Sequence, residues 1–262
     1  MTSSLTRVPS IRPSSSRSGR SPIRILVVNV NTTESMTAVI GAQARAAASS
    51  GTEIVAVTPR FGPASVESIL ESHLAAVGVI DCVLRHVDGC DAVILAGFGE
   101  LGREALQELL SIPAVDITEA AAHVACLLGR TYAVVTTVDR AVPAIEDRLL
   151  LAGLRSRCVS VRAVKMPVLD LETNADATIE AVTRVAERAI RDEGAEVICL
   201  GCAGMAGIAE RVSQQIGAPV VDGVTAAVRL AESLHFLGLR TSKVGFYATS
   251  PEKPISGWPL EI

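Results

Sequence analysis

Two stretches of this chain align without a gap at an offset of 105 residues: GCDAVILAGFGE at 89–100 and GAEVICLGCAGM at 194–205. The correspondence continues downstream. IPAVDITEAAAHVACLLG (112–129) resembles APVVDGVTAAVRLAESLHFLG (218–238), with Pro113 opposite Pro219 and Asp116 opposite Asp222. A period this long is far above that of solenoid repeats. It implies a duplicated half-molecule, so the chain has to fold as two copies of one unit.

Short β-branched runs alternate with Ala-rich stretches, which defines the unit as α/β. Strands are expected at Ile25–Asn29, Glu53–Val57, Ala92–Ala96, Ala114–Asp116, Tyr132–Thr136, Ser160–Val164, Val197–Gly201, Val220–Asp222 and Val244–Ala248. Helices are expected to start near Ser35, Ser65, Gly102, Thr118, Ala141, Asn174, Ile208 and Val224. Strand followed by helix, repeated, predicts right-handed crossovers and mainly parallel sheets. The expected fold is therefore two pseudo-symmetric Rossmann-like (flavodoxin-like) halves with a cleft between them. One half comprises 23–117 plus 223–262 and the other 118–222, after a Ser/Arg-rich tail at 1–22 that lacks the apolar run of a secretory signal. Ligands of open α/β sheets bind beyond the carboxyl ends of the strands. Two facing halves place both sets of loops around one cleft.

Composition narrows the partners. Acidic residues outnumber basic ones, for a net charge of −4, and aromatics make up 3%. Both argue against a nucleic-acid surface, which needs a basic face and stacking rings. No apolar window is long enough for a membrane span. The six cysteines have no paired zinc-type spacing, and four scattered histidines form no ligand set. A cytoplasmic protein acting on a small molecule is the expectation.

Within the repeat, Gly97 stands opposite Cys202 and Gly99 opposite Gly204, each in the loop after a buried strand. Cys202 precedes the helix expected near Ile208. Backbone N–H groups at a helix start lower a thiol pKa and hold anions, so Cys202 is the candidate acid/base. The alternative is a small buried hydrophobe, the usual state of a free Cys. Cys199 is expected inside its strand, and Cys82, Cys90, Cys126 and Cys158 are expected to be structural or superficial. GFGELG (97–102) has the form of a dinucleotide fingerprint, with Asp116 beyond it. It follows the third strand, not the first, and the partner loop does not repeat it.

Five segments carry a family resemblance: ILVVNVNTTESMT (25–37), FGPASVES (61–68), YAVVTTVDRAVPAIEDRLLLAGL (132–154), GAEVICLGCAGMAG (194–207) and APVVDGVTAAV (218–228). They resemble the hydantoin and allantoin racemase branch of the aspartate/glutamate racemase superfamily, from about Ile23 to about Ser242. The resemblance implies cofactor-independent proton transfer at a carbon beside a carbonyl, with one cysteine per half. It places the second cysteine at Cys202 and the first at Gly97, where this chain has none. It implies a substrate pocket made of Asn29, Asn31, Ser65, Phe98, Gly99, Thr136, Thr137, Ala203 and Gly204, and a possible homo-oligomer. Asn31, Thr32 and Ser35 also suit a helix cap, and Thr136 and Thr137 a strand end.

The expected function is racemisation of a 5-substituted hydantoin or an allantoin-like ureide. Glycine at 97 keeps other readings open. Glu100 is the nearest substitute base. One-cysteine chemistry like that of arylmalonate decarboxylases or maleate isomerases is another. A non-catalytic metabolite-binding protein is the third.

Overall fold

The computed structural model describes residues 22–99, 101–171 and 173–251. The tail at 1–21, Glu100, Glu172 and 252–262 lie outside the described residues.

The first unit runs β1 (Ile23–Asn29), α1 (Glu34–Ala47), β2 (Thr52–Val57), α2 (Ile69–His86), β3 (Ala92–Ala96), α3 (Arg103–Leu109), β4 (Ala114–Asp116) and α4 (Ile117–Leu128). The second runs β5 (Tyr132–Thr136), α5 (Val142–Leu151), β6 (Cys158–Ala163), α6 (Ala175–Glu193), β7 (Val197–Leu200), α7 (Ala209–Ile216), β8 (Val220–Asp222) and α8 (Gly223–Phe236). Each unit contributes one parallel four-stranded sheet, in the orders β2-β1-β3-β4 and β6-β5-β7-β8. The strand order is the same in both, as a duplication requires.

β1, β3, β5 and β7 are almost wholly buried apolar runs. Such runs fit strands covered on both faces by helices. The two units exchange their last helices: α8 packs on β1, β3 and β4, while α4 packs on β7 and β8. α4 and α8 also pack on each other. Their starts nearly coincide in space, and Ile117 is the residue repeated as Gly223. A Cβ at Gly223 would lie 2.8 Å from the Ile117 carbonyl oxygen and 3.0 Å from its Cβ. Two equivalent positions meet here, and there is room for only one side chain.

Asp116 and Asp222 cap these helices symmetrically. Asp116 Oδ1 accepts from Thr118 N (2.8 Å) and Glu119 N (2.9 Å), and Asp222 Oδ1 accepts from Thr225 N (2.8 Å). Asp116 also pairs with Arg103 and with the fully buried Arg148 of α5, which Glu104 and Glu119 bind as well. This carboxylate is thus occupied internally and is not placed to read a ribose.

Two expectations need correction. Val244–Ala248 is not a strand: Gly245–Tyr247 forms a 3-10 turn that packs on α3, with Val244 and Phe246 largely exposed, and it joins neither sheet. The helix expected from Ser65 begins at Ile69, because Ser68 is the N-cap, its side chain accepting from Glu71 N. No described helix is long and apolar enough to cross a membrane. Among the described residues no cluster of His, Cys, Asp and Glu could hold a metal ion.

Candidate active site

The carboxyl ends of β1, β3, β5 and β7 converge on a small cavity of about 50 Å³. Asn29 and Asn31 enter it from the end of β1, Gly97 and Phe98 from β3, Thr136 and Thr137 from β5, and Cys202 and Ala203 from β7. These eight were singled out from the sequence. Ser65, Gly99 and Gly204, singled out with them, do not line it. Ser65 instead donates its hydroxyl to Glu67 Oε1 at 3.5 Å. Gly99, at φ 119°, donates its N–H to Thr118 Oγ1 at 2.9 Å, which ties the β3 loop to the start of α4. The other unit has an equivalent tie, Gly207 N to Asp222 Oδ2 at 3.1 Å. The rest of the wall is apolar and was not anticipated. It includes Val30, Met36, Val66, Leu101 and Val168.

The polar residues differ in what they leave available. Asn29 Nδ2 faces three acceptors, Asn31 Oδ1 (2.9 Å), Thr33 O (3.1 Å) and Thr37 Oγ1 (3.0 Å). Its Oδ1 takes the Asn31 N–H at 3.3 Å. Asn29 is therefore a buried brace of the β1 end. Among the described residues Asn31 Nδ2 meets only the Met36 thioether at 3.4 Å, a weak acceptor, which leaves this amide donor capacity unfilled by them. Thr136 donates its hydroxyl to Gly201 O at 3.0 Å, which ties β5 to the loop that carries Cys202.

Burial pushes the Cys202 thiol up to about 11; the Gly204 N–H opposes the rise, the Glu67 carboxylate adds to it, and the Met205 N–H opposes it. A lowered pKa was expected, and the geometry explains the reversal. Cys202 does not start α7. It caps a 3-10 turn at Ala203–Met205, its Sγ accepting from Gly204 N at 3.4 Å, while α7 begins only at Ala209. Helix-end electrostatics act within the first turn, so one weak bond is set against desolvation by burial. The raised value alone does not single out Cys202, because burial also pushes Cys82 and Cys158 to about 11 and Cys199 well above the usual thiol value. Those three are packed in cores, whereas Cys202 is partly buried and lines the cavity.

Across the cavity, Gly97 is packed as a glycine. A Cβ there would lie 2.1 Å from Leu101 Cδ1, and 2.5 and 2.7 Å from the two Val30 methyls. Glu100, the substitute base considered above, lies outside the described residues.

The family described as Asp/Glu/Hydantoin racemase matches residues 25–231. A hydantoin racemase of Pseudomonas sp. (strain NS671) is 39% identical over 236 residues, covering 90% of this chain and 95% of that protein. The crystal structure of allantoin racemase from Pseudomonas fluorescens is 62% identical, with a TM-score of 0.88 over 90% of this chain and all of that one. Allantoin racemase from Klebsiella pneumoniae is 40% identical, with a TM-score of 0.86 over 90% of this chain and 96% of that one. At 19% identity and a TM-score of 0.60, arylmalonate decarboxylase shares the fold.

Proposed function

Since this chain belongs to the Asp/Glu/hydantoin racemase family, we propose that it racemises a 5-substituted hydantoin or an allantoin-like ureide with Cys202 as its acid/base. One observation carries the assignment: among the described residues lining the cavity, Cys202 has the only titratable side chain.

The chemistry follows from the arrangement. The Cys202 thiolate takes the proton from the ring carbon and becomes the thiol. The C–H electron pair moves into the adjacent carbonyl, giving an enolate oxygen. The Asn31 side-chain N–H is the donor proposed for that oxygen, since a preformed donor stabilises developing charge. Return of the proton restores the C–H bond. A thiol at about 11 is almost fully protonated at neutral pH, which suits it to the donor half of the cycle. As a base it is scarce, at roughly one part in 10⁴, but correspondingly strong.

Gly97 stands where the opposite half would supply a second thiol. With hydrogen alone on that face, Cys202 returns its proton to the side from which it came, and inversion requires the enol to be protonated from solvent. The prediction is that carbon-bound proton exchange outruns inversion. Proton NMR in deuterated water, read alongside optical rotation on one enantiomer each of allantoin and a benzyl hydantoin, measures both. Label uptake and inversion in one-to-one step from the first turnovers would mean that a second acid/base is at work. Absence of both would leave only a binding protein.

We also propose the division into 23–117 with 223–262, and 118–222. The exchange of α4 and α8 between the sheets supports it.

A further inference from the structure

A cavity of about 50 Å³ has room for a few waters at most. Small-molecule pockets run from about 300 Å³ upward. Part of the wall therefore has to move before a ring can enter. Most of the wall is fixed, being the ends of β1, β3, β5 and β7 inside the two sheets. Met36 of α1, Leu101 before α3 and Ala141 before α5 also line it, and two loops reach in from outside the strand ends. One, residues 58–68 after β2, brings Val66. The other, residues 164–171 after β6, brings Val168.

Each loop is anchored to its own unit. Thr32 N donates to Pro63 O at 3.0 Å, Thr33 Oγ1 donates to Ala64 O at 2.7 Å, and Glu67 N donates to Glu71 Oε2 in the first turn of α2 at 2.7 Å. On the other side, Val164 N and Met166 N donate to Thr136 O and Thr137 O, at 2.9 and 3.1 Å. Lys165 between them has φ 62°, the only described non-glycine residue in the left-handed region. Between the two loops runs, among the described residues, one short polar contact: Glu67 Oε1 accepts the Val168 N–H at 2.8 Å. Ser65 supports the same oxygen.

We propose that Glu67 is the positioning residue that latches the roof of the site: by accepting the Val168 N–H it holds Val66 and Val168 together over Cys202, and release of that bond admits substrate. A carboxylate suits this task. A charge-assisted bond to a backbone N–H is about twice as strong as a neutral one, yet it is a single bond and opens without disturbing either sheet. The charge of the same carboxylate also opposes thiolate formation at Cys202. A closed roof thus coincides with a protonated thiol.

The inference rests on the reading of Cys202 as the reacting group, but its test reads access alone and needs no turnover. The rates of Cys202 modification by iodoacetamide (small) and N-ethylmaleimide (bulky) are followed by mass spectrometry of the peptide that contains it. Both reagents consume the thiolate, so any change in thiolate fraction cancels in their ratio. Glu67→Ala is expected to raise the bulky-to-small ratio at least fivefold. Glu67→Gln keeps an acceptor oxygen and is expected to leave the ratio within twofold of the parent, although both rates shift together with the lost charge. An unchanged ratio in Glu67→Ala, or an equal rise in both variants, overturns the latch. If Glu67→Ala fails to fold, amide exchange in the unaltered protein decides: the 61–68 and 164–171 peptides open at a common rate if latched, and at unrelated rates if not.

Discussion

Replacing Gly97 with cysteine tests whether the packing around this position admits a thiol opposite Cys202. The Cβ introduced there meets Leu101 Cδ1 at 2.1 Å and the Val30 methyls at 2.5 and 2.7 Å. Carbon atoms rest about 3.5–4.0 Å apart, so the overlap with Leu101 is about 1.5 Å. Leu101 presents the end of a flexible side chain and can turn away. Val30 is β-branched and stiff at χ1, so it cannot withdraw both methyls. Overpacking of this kind costs about 1–3 kcal/mol, a fall in Tm of about 2–12 °C for a chain of this size.

The partner substitution makes the argument specific. Leu101 is 4% exposed, and Leu101→Ala alone removes a buried side chain at about 2–5 kcal/mol. Combined with Gly97→Cys, it vacates the volume that the sulfur needs, so the two effects oppose each other. The double variant is expected to be more stable than the sum of the singles predicts, by about 1–3 kcal/mol. In the double variant the Leu101 collision is gone and only the Val30 contacts remain, so it is there that the ratio of proton exchange to inversion is expected to fall furthest toward one. Thermal denaturation of all four proteins, with label uptake and optical rotation on the same samples, completes the cycle. A Gly97→Cys single variant with an unchanged Tm and the ratio of the double variant would refute the packing argument.

Three further outcomes follow from the same geometry. Cys202→Ser is expected to abolish exchange and inversion, whereas Cys199→Ser, at a position with no exposure, retains both; equal loss would count against the assignment. The Cys202 thiol is raised to about 11 by burial; because thiolate is the reactive form, its alkylation rate should climb about tenfold per pH unit from 7 to 10, and a plateau below pH 9 would contradict the burial argument. Gly223→Ala sets a Cβ 2.8 Å from a backbone oxygen that cannot rotate away, so calorimetry should show a loss of about 1–3 kcal/mol, and an unchanged Tm would remove the claim that α4 and α8 meet at their starts.

The residues legible from sequence are those whose position is fixed locally. Asn29, Thr136 and Cys202 follow or end apolar runs, and the end of a parallel strand faces the ligand side whatever the remainder does. The residues that escaped are fixed by the path of a loop. FGPASVES was singled out as a segment, yet Ser65 was chosen from it, whereas Val66 lines the cavity and Glu67 crosses to the other unit. Neither periodicity nor propensity decides which of three consecutive loop residues points inward. Val30, Leu101 and Val168 carry no chemical signal, because a methyl in a cavity wall is the same residue type as a methyl in a core. Val244–Ala248 has the composition of a strand, but a strand needs a neighbour to pair with, and no run of five residues states whether an edge is free.

The thiol shows how a correct local reading still inverts a chemical conclusion. Gly-rich sequence after a buried strand, followed by a helix, is the pattern of an anion site, and it places Cys202 at the strand end as found. What the pattern omits is the 3-10 turn, which separates the sulfur from the first residue of α7 by seven positions. Beyond the first turn the field of the helix has decayed, so desolvation governs and the proton stays on sulfur.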